Sequence, residues 1–215
     1  MGGGSDSRIP SILSEVLGYG AKCGSSSCES VTRSTPVRVI CKTYDFDPEI
    51  AHRQIEEWLD EYKPNLIIGE SLGSLHALRI RHIPVLLVSP ALNTPFYFRI
   101  LSWIIWIPGV ATLFEHIYKP REGDRQPMKF TYDVLKKYRL HGKEALYTPR
   151  SDDQYLHAFF GTDDHYRRSG VVSLKKWKKL YGDTFTIYEG THFMENQYVF
   201  SILLPMIFNF LDIKE

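Results

Sequence analysis

The amino-acid sequence predicts an α/β protein, a three-layer α/β/α sandwich built on a mainly parallel sheet. Short apolar runs alternate with longer amphipathic stretches, a pattern typical of buried parallel strands covered by helices on both faces. The stretches between the runs are long enough for the crossovers that parallel strands need. With 215 residues, 43% of them hydrophobic, the chain can bury one sizeable core. We therefore expect a single domain over residues 8–215.

Six apolar runs are the candidate strands. Each is too short for an ordinary helix and is bounded by polar residues, glycine or proline. They cover residues 12–17, 37–41, 66–68, 85–88, 156–160 and 185–188.

The sequence also predicts helices between these strands. Residues 48–62 carry apolar side chains at helical spacing, behind Asp47 as a cap and Pro48 in the first turn. The other predicted helices cover residues 72–80, 171–180 and 194–211.

Residues 93–153 interrupt the alternation of strands and helices. A stretch of roughly sixty residues without a clear strand is far longer than an ordinary connection, so it must have structure of its own. We expect a helical cap that forms a lid over the active site. Residues 96–107 are rich in aromatic and aliphatic side chains, but Arg99 and the Pro108-Gly109 break leave too short an apolar run to span a membrane. Completion of the core, a homodimer contact and contact with a membrane surface are the alternatives for these side chains.

The pentapeptide Gly69-Glu70-Ser71-Leu72-Gly73 lies between a predicted strand and a predicted helix. This is the spacing and context of a nucleophile elbow. A serine hydroxyl is a poor nucleophile at neutral pH, so it must be held on a tight turn beside a base. Glycine permits such a turn and a close approach of the neighbouring chain. Ser71 is therefore the candidate nucleophile.

Two further motifs supply an acid and a base in the order that such a site requires. The run 156–160 leads into Gly161-Thr162-Asp163-Asp164, and the run 185–188 leads into Glu189-Gly190-Thr191-His192. Both motifs follow strands of a parallel sheet, where functional residues collect. We expect His192 to accept the proton of Ser71, and Asp164 to orient the imidazole and stabilise its charged form. Asp163 is the fallback for the acid.

With these three motifs the chain resembles the alpha/beta-hydrolase superfamily over most of its length. The segment Tyr44-Asp45-Phe46-Asp47-Pro48, followed by a helix and the elbow, looks more narrowly like the small bacterial esterases called YqiA-like. In the superfamily the acid commonly lies three residues after the glycine, which corresponds to Asp164 here. The resemblance implies a Ser71, Asp164, His192 triad.

The resemblance also implies an oxyanion hole formed by two backbone N–H groups. One belongs to Leu72, which follows the nucleophile, and the other to Tyr19 within Leu17-Gly18-Tyr19-Gly20. Leu17 stands where the superfamily often has histidine. This difference motivates an alternative function, a non-catalytic ligand-binding protein on the same fold.

Composition narrows the classes of partner and compartment. The 26 basic and 25 acidic residues are nearly balanced, which argues against nucleic-acid binding. Three cysteines without zinc-type spacing, and a start without a recognisable secretory signal, favour the cytoplasm. We expect no metal and no cofactor. The predicted function is a serine hydrolase that cleaves a partly apolar carboxylic ester through an acyl-enzyme, with thioester and amide cleavage left open.

Overall fold

A computed structural model describes residues 8–17, 37–117, 129–151 and 153–211. At its centre is a four-stranded sheet in which every neighbouring pair is parallel. The strands follow one another across the sheet in chain order, and their registers pair Gly69 with Leu87, Val88 with Phe159, and Gly161 with Tyr188. The strands are β1 (Ile67–Glu70), β2 (Val85–Val88), β3 (Leu156–Gly161) and β4 (Phe185–Tyr188).

Helices occupy the connections and both ends of the described chain. A π-helical turn, Val199–Leu203, joins the last two of them into one C-terminal helical segment. The helices are α1 (Arg8–Leu17), α2 (Pro48–Tyr62), α3 (Gly73–Ala77), α4 (Thr94–Ile104), α5 (Val110–Ile117), α6 (Tyr132–Tyr147), α7 (His165–Arg168), α8 (Leu174–Tyr181), α9 (Asn196–Tyr198) and α10 (Leu204–Phe210).

The helix starts follow local hydrogen-bonding rules. The Asp47 carboxylate accepts a hydrogen bond from the Glu49 N–H at 2.9 Å, and Pro48 occupies the first helical position of α2. Thr131 caps α6 in the same way, because its hydroxyl oxygen accepts from the Val134 N–H at 3.3 Å. These caps use backbone donors that have no partner inside a helix.

Alternate side chains of the sheet enter two separate cores, one on each face. On β2, Val85 and Leu87 belong to the first core, and Leu86 and Val88 belong to the second. Side chains of α3, α4, α6 and α8 complete the first core, whereas α1 and the C-terminal helical segment complete the second. Because helices cover both faces, the architecture is the predicted three-layer α/β/α sandwich.

The predicted elements agree with the structure in most places. The helix at residues 48–62 and the strands at 85–88 and 185–188 match the predicted bounds. Strand β1 starts one residue and ends two residues later than predicted, and β3 ends one residue later. The helix predicted at 72–80 is shorter, since α3 ends at Ala77, and the one predicted at 171–180 starts only at Leu174.

Two predicted strands are wrong. Residues 12–17 belong to helix α1, where the buried Ile9, Ile12, Leu13 and Leu17 recur at helical spacing along one face. Residues 37–41 form no strand, although their side chains alternate between half-buried and exposed. Val37 and Val39 pack on the second core, but the structure assigns this segment no ladder of hydrogen bonds to a neighbouring strand.

The described part of residues 93–153 is largely helical and consists of α4, α5 and α6. Helix α4 packs against α6, and Phe98, Leu101 and Tyr138 join the first core. The function of this region as a lid, and the domain bounds, stay predictions. No helix in the described ranges is long and apolar enough to cross a membrane.

Candidate active site

Ser71 lies on the sharp turn between β1 and α3. Its φ angle of +51° is in the left-handed region, which is uncommon for a residue with a side chain. Backbone hydrogen bonds hold the turn: the Ser71 N–H donates to Val88 O at 2.9 Å, and the Ala91 N–H donates to Ser71 O at 3.2 Å. The neighbouring strand therefore supports an unusual backbone conformation at this serine.

Gly69 allows the turn to pack against its neighbours. A Cβ atom placed there would lie 2.9 Å from Leu87 Cδ2, 3.0 Å from Ala77 Cβ and 3.1 Å from Ser74 Cα. Two of these neighbours are fixed by helix α3, so a side chain at position 69 would push the helix away from the sheet.

Three predicted site residues meet in one chain of contacts. His192 Nε2 lies 2.8 Å from Ser71 Oγ, and His192 Nδ1 lies 2.9 Å from Asp164 Oδ2. A carboxylate can only accept hydrogen bonds, so Nδ1 carries the proton and Nε2 presents its lone pair to the serine hydroxyl. His192 is 1% exposed and Asp164 is fully buried, which keeps water from competing for this pair.

Asp164 is held at the carboxyl end of β3, where it caps the short helix α7. Its Oδ1 accepts a hydrogen bond from the Tyr166 N–H at 2.7 Å while its Oδ2 contacts His192. Burial on its own raises the pKa of Asp164, but the hydrogen bond and charge of His192, together with the Tyr166 N–H, lower it below its ordinary value. Asp164 is therefore ionised at neutral pH.

Asp163, the fallback acid, lies in a different environment. Its side chain is exposed, and its backbone N–H donates to Gly190 O at 2.9 Å. It thus ties the end of β3 to the loop that carries His192. The structure brings Asp164, and not Asp163, to the histidine.

Several residues that the sequence did not single out position the His192 loop. The Arg8 guanidinium donates to Phe193 O and to Met194 O, each at 3.2 Å, and Glu195 Oε1 accepts from the Thr191 N–H at 2.9 Å. Arg8 lies 185 residues from Phe193 in the chain, so no local pattern could have revealed this contact.

An apolar cavity of about 310 Å³ opens beside Ser71. Helix α4 supplies six of its lining residues and α5 supplies one. Ser71 is one of the few polar groups on the cavity wall. The full lining is Ser71, Leu72, Ala91, Thr94, Tyr97, Phe98, Ile100, Leu101, Ile104, Phe114, Phe130, Tyr166 and Val171.

Of the two predicted oxyanion donors, Leu72 and Tyr19, the structure describes one. Leu72 lines the cavity directly after Ser71, and no hydrogen bond between described residues uses its N–H. Tyr19 lies outside the described residues, as do Gly18 and Gly20. Leu72 therefore lies beside the serine, and the oxyanion role of both N–H groups stays a prediction.

A second group of titratable side chains is buried between α3 and α6. The rings of His76 and His141 lie 4.5 Å apart, and Arg79 Nη1 lies 3.0 Å from His141 Nδ1. Burial lowers the pKa of His76 to about 3 and that of His141 to about 2, and neighbouring positive groups are the second, smaller cause. Within the described ranges, no group of three or more His, Cys, Asp or Glu side chains could hold a metal ion.

Comparison with known proteins gives similarity at the level of solved structures alone. No family model matches the sequence, and no curated protein matches it. A monoacylglycerol lipase from Paleococcus ferrophilus is 18% identical with a TM-score of 0.47, over 77% of this chain and 76% of that chain. A serine hydrolase from Cycloclasticus zankles is 15% identical with a TM-score of 0.43, over 80% and 74%. Carboxylesterase CesB from Bacillus subtilis is 14% identical with a TM-score of 0.40, over 78% and 69%. Similarity this low carries no argument about activity.

Proposed function

We propose that this protein is a serine hydrolase of the alpha/beta-hydrolase superfamily that cleaves carboxylic esters with an apolar portion. One observation carries the proposal: a continuous chain of contacts from Ser71 through His192 to a buried Asp164, at the wall of an apolar cavity. A solvent-exposed serine without such a base would be inert at neutral pH. The narrower likeness to YqiA-like esterases stays a prediction.

In the proposed reaction, Ser71 Oγ attacks the carbonyl carbon of the ester while His192 Nε2 accepts the hydroxyl proton. The tetrahedral intermediate collapses as Nε2–H returns that proton to the leaving alcohol, and the acyl group remains on Ser71. Water then attacks the acyl-enzyme with His192 again as base, and the carboxylic acid leaves. Asp164 stabilises the imidazolium formed in each half of the cycle.

The Leu72 N–H is our candidate for stabilising the oxygen that becomes negative in the tetrahedral intermediate. It follows the nucleophile on the same turn and has no acceptor among the described residues. Loss of one such donor costs roughly 3 to 4 kcal/mol of transition-state stabilisation in enzymes of this type.

The cavity supports an apolar substrate of modest size. Its volume of about 310 Å³ lies near the lower end of the range for small-molecule sites, and aliphatic and aromatic side chains predominate in its lining. We propose that α4 and α5 form the lid over this cavity, since Phe98, Leu101 and Phe114 contribute to its wall. Ester hydrolysis is the proposed reaction.

Hydrolysis of p-nitrophenyl esters of increasing acyl length tests this proposal. We expect kcat/KM to rise with chain length and then fall once the acyl group exceeds the cavity. Ser71→Ala should lower kcat/KM by roughly 10³-fold or more, whereas Ser201→Ala, at an exposed helical serine, should not change it.

Two results would count against the proposal. Equal activity of the wild type and Ser71→Ala would exclude Ser71 as the nucleophile. A folded wild type that binds these esters without cleaving them would instead favour a non-catalytic ligand-binding protein.

A further inference from the structure

The outward side of α4 and the turn after it exposes an unusual amount of apolar surface. Trp103 is 77% exposed and Trp106 is 72% exposed. Along α4, Phe96, Ile100 and Trp103 recur at intervals of four and three residues. Together with Ile104, and with Ile107 in the turn after the helix, they form one stripe of exposed apolar side chains. We call this stripe, together with Trp106, the outer face. A folded monomer rarely leaves such a surface in water, so the outer face indicates a binding partner.

The outer face is continuous with the cavity beside Ser71. Ile100 and Ile104 line the cavity and are also 48% and 43% exposed. The same two side chains therefore contact the cavity interior and the surroundings of the protein. The outer face therefore borders the cavity that opens next to Ser71.

The charged side chain of α4 itself is positive. Arg99 is the sole charged residue between positions 94 and 114, and its guanidinium lies 5.4 Å from the centre of the Phe96 ring. The Tyr97 hydroxyl donates to Ser169 O, which brings the exposed Arg168 at the end of α7 close to α4. Apolar and indole side chains beside arginines match a layer of lipid tails below negatively charged headgroups.

We propose that the outer face docks on the surface of a lipid bilayer that contains anionic lipids. Trp103 and Trp106 would enter the boundary between headgroups and acyl chains, where indole rings are favoured, while Arg99 and Arg168 would contact phosphate groups. The contact is peripheral, since no described helix can cross a bilayer.

A second copy of this chain is the other occupant to consider. Two outer faces packed on each other would bury Ile100 and Ile104 and close the cavity, and a two-fold contact would bring like charges near each other. The first of these two objections rests on the proposed function, because only an enzyme needs the cavity open to substrate. A lipid surface, in contrast, supplies apolar molecules at the mouth of the cavity.

Vesicle flotation with the full chain tests the docking surface. We expect the protein to float with vesicles of phosphatidylcholine plus phosphatidylglycerol, and less with phosphatidylcholine alone. Trp103→Ser with Trp106→Ser should weaken binding by roughly tenfold or more. The matched control is Leu140→Ser with Tyr147→Ser, which removes two exposed apolar side chains from α6 and should leave binding unchanged. Arg99→Gln should weaken binding to the mixed vesicles alone.

Three results would overturn the docking proposal. The first is a wild type that is absent from the floated fraction, and the second is a control pair that loses as much binding as the tryptophan variant. The third is a dimer, seen in sedimentation, that the tryptophan substitutions dissociate, in a protein that does not bind vesicles. Ser71→Ala separates this proposal from the proposed function, since it should float as the wild type does. A wild type that binds vesicles but cleaves no ester would support the docking proposal and contradict the proposed hydrolase function.

Discussion

The Tyr166 ring lies edge-on to the ring of His192 with their centroids 4.5 Å apart, while the Tyr166 backbone N–H donates to Asp164 Oδ1 at 2.7 Å. One residue thus contacts the proposed base and its acid, and it also lines the cavity. Tyr166 is therefore placed to hold the imidazole upright between Ser71 and Asp164.

Tyr166→Ala should lower kcat by roughly tenfold, because the imidazole gains freedom to leave the line between Ser71 and Asp164. KM should also rise, since part of the cavity wall is removed. Tyr166→Phe keeps the ring and should retain most of kcat. Steady-state kinetics on one p-nitrophenyl ester measures both effects, and an unchanged kcat in Tyr166→Ala would show that the ring does not position His192.

Asp164→Asn should reduce kcat by roughly 10³- to 10⁴-fold while the fold is kept. An amide can donate to Nδ1, which favours the tautomer with the proton on Nε2, and that tautomer cannot accept the proton of Ser71. Asp163→Asn is the matched control, since its side chain is exposed and outside the chain of contacts. If the two variants lost activity equally, Asp164 would not be the acid.

The proximity of Ser71, Asp164 and His192 could be predicted because each lies in a short local motif that directly follows an apolar run. Ser71, Asp164 and His192 each follow a strand, and parallel strands bring their carboxyl ends to one edge. The contacts of Arg8 with the His192 loop could not be predicted, because they join the two ends of the chain.

The errors in secondary structure have similar causes. Residues 12–17 are apolar enough to suggest a strand, but Ile9 belongs to the same pattern and extends it into a helical stripe. Residues 37–41 have the alternation of a strand, yet a strand also needs a paired neighbour, which depends on tertiary structure. Helix 48–62 was predicted correctly because its cap, its proline and its apolar spacing all lie within the segment.

The buried histidines should make stability depend on pH. In the folded protein the pKa of His76 is lowered to about 3 and that of His141 to about 2, so both side chains are neutral at pH 5. In the unfolded chain each has its ordinary pKa of 6.5 and binds a proton below that pH. The unfolded state then binds more protons, so the free energy of unfolding falls as the pH decreases from 6.5 toward 3. At pH 5 the loss should be about 2 kcal/mol for each histidine.

Urea denaturation between pH 8 and pH 5 measures this dependence. The double variant His76→Gln, His141→Gln should show a much smaller loss over the same interval, even if it is less stable at pH 8. Equal pH slopes in the wild type and the double variant would mean that these histidines do not cause the loss.

Gly69→Ala should destabilise the protein by about 1 to 3 kcal/mol, because the new Cβ meets Leu87, Ala77 and Ser74 at 2.9 to 3.1 Å. It should also lower activity, since the turn that carries Ser71 must shift. Gly182→Ala is the control: its φ of +69° adds a backbone cost, but nothing lies within 4 Å of the new Cβ. Thermal unfolding measures the loss of stability in both variants, and ester hydrolysis measures the activity per folded molecule. We expect that activity to fall in Gly69→Ala and to stay unchanged in Gly182→Ala.

Labelling by a fluorophosphonate probe, with the modified residue identified by peptide mass spectrometry, tests the central claim most directly. The contacts of His192 with Ser71 and Asp164 predict one phosphonate per chain, attached to the peptide that contains Ser71, and no labelling in Ser71→Ala. A folded wild type that stays unlabelled, or a label on another serine that persists in Ser71→Ala, would contradict it.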